Sequence, residues 1–234
     1  MTTIQPSSTS YIVLTDYSKN TARLEIKRSE FIAYLLRCEN TEAARDHIKS
    51  LAKAHHAARH VCSAFLLGPQ RNIQRSNDDG EPAGTAGLPM LQTLLHYQPK
   101  NCPTGSGQLS DVCAVVVRYF GGIKLGANGL IRAYSQALSQ LLDQVNYSLR
   151  SAYQEGKIAV DLSSSGRVEN EFRKLGYPLL ASSYQPDQAL LSFAVPANQT
   201  AKDQAQLKLA ELTAGQKQIS WGDYSWQDKK LPSA

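Results

Sequence analysis

Three carboxylates fall within four positions, at Asp78, Asp79 and Glu81, in the run Asp78-Asp79-Gly80-Glu81-Pro82-Ala83-Gly84-Thr85-Ala86-Gly87. Clustered hard oxygens of this kind suit a divalent cation or acid/base chemistry. The same letters suit a tight turn, because Asp and Gly reach turn dihedrals cheaply and short carboxylates cap backbone N–H groups. His60 is the side chain that would face such a loop as base or ligand. Its clustering with His55 and His56 favours instead a solvated or capping role at a helix end. The second half of the loop points to a different chemistry. Gly84, Thr85 and Gly87 immediately precede a predicted helix, where unencumbered N–H groups and the helix N-terminus favour an anion such as phosphate. Simple chain reversal is the plainer alternative.

A second glycine-rich segment repeats this logic with more charge: Arg118-Tyr119-Phe120-Gly121-Gly122-Ile123-Lys124-Leu125-Gly126, with Arg132 a little further on. Guanidinium forks and open backbone amides suit phosphate oxygens, so Arg118, Gly121, Gly122, Lys124, Gly126 and Arg132 are candidates for an anion, nucleic-acid or partner site. Tyr119 and Phe120 would stack on a base or anchor the loop in the core. The competing reading pairs Arg118 and Arg132 with Asp78, Asp79 or Glu81, knitting the two loops together. The segment lacks the Gly-Lys-Ser/Thr of a nucleotide-triphosphate loop and the G-x-G-x-x-G of a dinucleotide site, so no cofactor is expected. The metal question stays open.

The elements that must position these loops are legible from periodicity. Two successive strands are predicted over Arg23–Arg37, the first ending near Lys27. A helix follows from a Thr41 cap, with Ala43, Ala44, Ile48, Leu51 and Ala52 at helical spacing. Val61–Leu67 reads as a buried strand with Arg71–Gln74 as its neighbour, and Leu88–Leu95 as a helix that tolerates Pro89 in its first turn. Pro99–Gly107 is a loop. Val112–Val117, dense in β-branched residues, is predicted to be a central strand. It enters the second glycine segment, which continues to Gly129. A long helix then carries Leu130, Ala133, Tyr134, Ala137, Leu138, Leu141 and Leu142 as an apolar stripe. After Tyr147 the order is strand (Gly156–Leu162), helix (Arg167–Leu175), strands (Leu179–Tyr184, Leu190–Val195), helix (Asn198–Thr213) and strand (Lys217–Tyr224). That is the ferredoxin-like βαββαβ order. The tail Lys229–Ala234 is expected to fray. The division expected is 1–149 and 150–234.

A chain of 234 residues with 42% hydrophobic and 19% charged residues is globular rather than disordered. Its net charge of +5 resides mostly in front: fifteen Lys and Arg against eleven Asp and Glu up to Leu149, ten against nine thereafter. Anionic partners are suggested. Cys38, Cys62, Cys102 and Cys113 form no C-x-x-C pair and read as free thiols. Met1–Ser10 lacks the pattern of a secretory signal and no apolar run reaches a membrane span, so no membrane contact and a cytoplasmic location are expected.

Two long motifs carry a family resemblance. Asp78 to Pro89, together with Val117 to Gly126 and Gly129-Leu130-Ile131-Arg132-Ala133-Tyr134, resembles the signature of the YigZ/IMPACT family. Ser29, Phe31, Ile32, His60, Cys62 and Ala64 add to the match, which covers about Leu24–Leu142. From Tyr153 onward the chain is similar to the extra C-terminal domain of the bacterial branch. One departure is Asn128, where the family usually has glycine; asparagine tolerates a left-handed backbone better than other side chains. The resemblance implies an α+β protein. Its N-terminal domain would resemble domain IV of elongation factor G, a βββαβα-type unit with helices on one face of a mixed sheet, and its C-terminal domain would be ferredoxin-like. It implies a translation-associated regulator contacting RNA, the ribosome or a translation-factor protein, as eukaryotic members compete for the activator of an initiation-factor-2 kinase. No catalytic set carries over. The alternative is an enzyme acting on a small phosphorylated substrate in a cleft between the loops, with Asp78, Asp79, Glu81 and His60 as its candidates.

Overall fold

A computed structural model describes residues 10–100, 102 and 107–232. Two compact units are present, one formed by Ser10–Arg150 with residues 228–232 and the other by Ser151–Gln227.

The first unit opens with β1 (Ser10–Leu14), which sequence periodicity did not anticipate, followed by β2 (Asn20–Ile26) and β3 (Ser29–Arg37). Helix α1 spans Thr41–Ala54, and its cap is Asn40 rather than Thr41: Asn40 Oδ1 accepts from Ala43 N–H at 2.8 Å. Then come β4 (His60–Leu67), β5 (Ile73–Asn77), α2 (Gly87–His96), β6 (Val112–Tyr119) and α3 (Ala127–Leu142). The sheet order is β2-β3-β6-β4-β5, with β6 in the middle as its apolar run predicted. Every pairing in it is antiparallel. This corrects the mixed sheet implied by the resemblance. The element order is also corrected, since β4 and β5 form a hairpin before α2. Nor are the helices confined to one face. Ala44 and Leu51 of α1 pack with Ile32, Tyr34, Phe65, Val115 and Val117 on one side. Helices α2 and α3 cover Phe31, Ala33, Cys62, Ala64, Ala114 and Val116 on the other. A sheet whose central strand is apolar at every position from Val112 to Val117 needs cover on both faces, and this one has it.

The second unit runs β7 (Tyr147–Asp161), α4 (Leu162–Lys174), β8 (Leu179–Tyr184), β9 (Gln188–Pro196), α5 (Gln199–Thr213) and β10 (Ser220–Lys230). Its strand order β10-β7-β9-β8 with two helices is the ferredoxin-like arrangement. Phe172, Phe193, Val168, Leu191 and Leu209 fill its core. Strand β7 begins well before Gly156, and its first residues belong to the first unit. The expected loop over Pro99–Gly107 lies partly outside the described residues.

The expected fraying of Lys229–Ala234 is corrected through residue 232. Leu231 is buried in the first unit's core and its N–H donates to Tyr147 O at 2.9 Å. Asp228 accepts from Arg37 at 2.6 Å and from Arg150 Nε at 2.9 Å. Burial alone would raise the Asp228 carboxyl's pKa, but these two guanidinium groups hold it below its usual value. The front unit thus runs to Arg150 and takes in residues 228–232 as well.

Candidate functional site

Antiparallel register sets the floor of the site. Arg118 on β6 stands opposite Phe31 on β3 and opposite His60 on β4. Because side chains alternate along a strand, all three project from the face that α2 and α3 cover. Further along that face Ala33, Cys62, Ala64, Ala114 and Val116 are apolar and fully buried, whereas this end is polar. Glu81 descends onto it from the first loop. Its Oε1 accepts from Arg118 Nη1 at 2.7 Å and from Tyr134 O–H at 2.8 Å, and its side chain is only 3% exposed. The salt bridge proposed from sequence is thus Arg118 with Glu81. Burying such a pair is costly, and the Tyr134 hydroxyl and the aromatic surroundings offset the cost. Arg118 lies over the Phe31 ring at 5.5 Å and the Phe120 ring at 5.4 Å.

The three carboxylates do not converge. Asp78 turns back into its own loop, where Oδ2 accepts from Gly84 N–H at 2.8 Å while Oδ1 accepts from Ala86 N–H at 3.0 Å and Gly87 N–H at 2.8 Å. Burial would raise its pKa, but these three donors hold it below its ordinary value. Asp79 Oδ2 accepts from Val61 N–H at 2.6 Å. Among the described residues no group of three or more His, Cys, Asp or Glu is placed to hold a metal ion.

This geometry also corrects the anion reading of Gly84, Thr85 and Gly87. The α2 N-terminus has an internal carboxylate in the position proposed for phosphate, and Thr85 O–H donates to Pro82 O at 2.7 Å. Gly87 is small for a packing reason: a Cβ there would lie 2.6 Å from Asn77 N.

The second loop is different. Gly126, with positive φ, is the residue that leads into α3, which has no side-chain cap and no acidic residue in its first turn. Its opening residues Gly126 and Ala127 line a cleft of about 380 Å³ with Arg59, His60, Glu81, Arg118, Phe120 and Lys124. Within hydrogen-bonding range the Arg118 Nε finds no partner and is buried. Gly121 is wedged against Arg28 and Ser29, and its N–H donates to Ser29 Oγ at 3.2 Å. Gly122 is exposed with positive φ.

Two further candidates are displaced. Tyr119, one residue beyond Arg118, projects from the opposite face and hydrogen-bonds His55 Nδ1 at 2.9 Å; of the adjacent aromatics only Phe120 reaches the cleft. Arg132 is exposed on α3 and does not line it. Asn128 falls inside α3, so the departure from glycine involves no left-handed residue.

Two supporting groups escaped the sequence reading. Arg59 lines the cleft beside His60. Tyr134, taken as one member of an apolar stripe, anchors Glu81 and lies 3.3 Å from Cys62 Sγ. The signal was a hydroxyl within an otherwise aliphatic helix face. Burial pushes the Cys62 thiol up to about 12; the hydrogen bond with Tyr134 opposes it, and the neighbouring carboxylates add smaller upward effects.

An antiparallel sheet covered by helices on both faces, two glycine loops converging on one buried arginine and a ferredoxin-like unit together define a two-unit α+β class. The chain belongs to the IMPACT family: residues 27–142 match the Impact N-terminal domain. It is 36% identical over 206 residues to IMPACT family member YvyE of Bacillus subtilis, covering 88% of this chain and 89% of that protein. To IMPACT family member YigZ of Escherichia coli it is 36% identical over 197 residues, covering 83% and 90%. A solved structure titled "Crystal structure of an hypothetical protein" is similar at a TM-score of 0.56 and 33% identity, over 90% of this chain and 96% of that one. No helix among the described residues is long and apolar enough to cross a membrane.

Proposed function

We propose that this chain is a translation-associated binding protein, acting in the cytoplasm, whose cleft at the start of α3 holds RNA phosphate. The observation that carries this reading is the uncapped α3 N-terminus opening on a cleft whose charged lining is Arg59, Arg118 and Lys124 against Glu81 alone. Open helix N–H groups and the exposed cations Arg59 and Lys124, beside a buried Arg118 already paired with Glu81, together attract a phosphate. Exposed Phe120 adds a surface for a base. The link to translation comes from the family resemblance.

Binding to ribosomes, rRNA fragments or tRNA, measured by filter retention across a salt series, tests the proposal. Affinity should fall steeply with salt, and Lys124→Ala should weaken binding and reduce the salt slope by about one. Absence of salt-sensitive binding would refute it. Capture of one nuclease-insensitive protein would replace RNA by a translation-factor partner. The enzyme reading keeps one observation, His60 Nε2 standing 4.0 Å from Glu81 Oε2 in the cleft. Asp78 and Asp79 are withdrawn from it by their backbone bonds. Turnover of a small phosphorylated compound, lost in His60→Ala, would favour that reading.

A further inference from the structure

Two hydrogen-bond acceptors stand side by side in the same cleft. His60 Nδ1 is 2.8 Å from Asp79 O. A carbonyl oxygen only accepts, so Nδ1 carries a proton; in the neutral imidazole the remaining lone pair is then at Nε2. That nitrogen is 4.0 Å from Glu81 Oε2. The other carboxylate oxygen, Oε1, is already engaged by Arg118 and Tyr134. Two acceptors facing one gap call for a visitor that brings two neighbouring donors.

The rest of the lining narrows its chemistry. Arg59, Arg118 and Lys124 disfavour a visitor whose net charge is positive, such as a polyamine or an arginine side chain. Phe120, 42% exposed, offers a flat apolar surface for stacking. The volume of about 380 Å³ is within the range of small-ligand pockets. An anion with a planar ring and two adjacent N–H donors on one edge describes a guanine nucleotide, whose N1–H and exocyclic N2–H lie side by side. Adenine would turn its N1 lone pair towards the two acceptors, and uracil has a single ring N–H between two carbonyls.

Resting on the phosphate reading above, we propose that the cleft is a guanine-selective subsite for single-stranded RNA. Glu81 Oε2 accepts from guanine N1–H, His60 Nε2 accepts from N2–H, Phe120 stacks on the ring, and the phosphate lies towards Lys124 and the α3 N-terminus. Unstacked bases read on their Watson–Crick edge and stacked on an aromatic ring are the usual currency of sequence-selective RNA recognition.

Calorimetric titration of the full chain with 5′-GMP, 5′-IMP and 5′-AMP at fixed low salt tests the assignment. IMP keeps N1–H and lacks only the N2 amino group, so it should bind about tenfold more weakly than GMP, with AMP weaker again. His60→Ala should bring GMP down to the IMP affinity and abolish their difference. Because that change also removes the link to Asp79, Phe120→Ala on an exposed side chain serves as a second variant, and should lower all three purine nucleotides about tenfold. GMP and AMP binding within twofold of each other would overturn guanine selectivity. If RNA binding then remains salt-sensitive and dependent on Lys124, only the base assignment falls; if RNA binding is absent as well, the phosphate reading falls with it.

Discussion

Replacing Asp78 is the most exacting perturbation of this architecture, because one carboxylate closes three backbone N–H groups and organises the loop that delivers Glu81 to Arg118. Two of those donors, on Ala86 and Gly87, belong to buried residues. Water cannot freely replace the lost acceptor there. A hydrogen bond to a charged acceptor contributes about 1.5–3 kcal/mol, and a helix N-cap replaced by Ala costs about 1 kcal/mol. The three bonds are not additive, and the half-buried Gly84 can rehydrate, so Asp78→Ala should cost about 3 kcal/mol. Asp78→Asn keeps Oδ1 for Ala86 and Gly87 but sets an NH2 donor against Gly84 N–H, and should cost about half as much. Urea denaturation followed by far-UV circular dichroism measures these losses. Hydrogen exchange at Gly84, Ala86 and Gly87 locates them. Acid gives an independent check. The folded pKa of Asp78 lies below its ordinary value of 3.8, so its contribution is complete above that pH and is lost as pH falls through the folded value. Protection of the same three amides should then fall on acidification, earlier than that of amides in β6. If both variants stayed within about 0.5 kcal/mol of the parent and the three amides kept their protection, the reasoning would be wrong.

Two other tests use features near the same loops. A Cβ at Gly121 would lie 2.5 Å from Ser29 N and closer still to the Arg28 carbonyl, whereas at Gly122 it meets nothing within 4 Å. Gly121→Ala should therefore cost more than about 3 kcal/mol or abolish folding, and Gly122→Ala only the left-handed penalty of about 1–2 kcal/mol, as chemical denaturation would show. Buried Cys62, its thiol pushed up to about 12 chiefly by burial, should resist iodoacetamide in the native protein at neutral pH and react after unfolding, as mass spectrometry of the labelled chain would show.

Much of the framework was visible in the residues. The β-branched density of Val112–Val117 announced the central strand, and the stripe from Leu130 to Leu142 announced α3, because both patterns reflect burial directly. Strand β1 escaped, since Tyr11 to Leu14 is a short apolar run without alternation beside a polar start. The antiparallel pairing of β6 with both β3 and β4 was not readable either: strand order depends on long-range contacts that leave no local period. The site shows the same limit. Extending period-two alternation to the end of β6 would have separated Arg118 from Tyr119. Nothing local could show that Asp78 would spend both oxygens on its own loop, leaving Glu81 as the carboxylate that meets Arg118. That depended on which of three nearby acids the turn directed inward.

The packing of residues 228–232 with the first unit has a consequence for biosynthesis. Segment 151–227 leaves the ribosome before Asp228 and Leu231 do, so the unit begun first is the one completed last. Until then Arg37 and Arg150 lack one of their carboxylate partners, and the place of Leu231 in the core is open. A fragment ending at Arg150 would share that condition permanently, so an isolated front half is an incomplete module unless residues 228–232 are grafted back onto it.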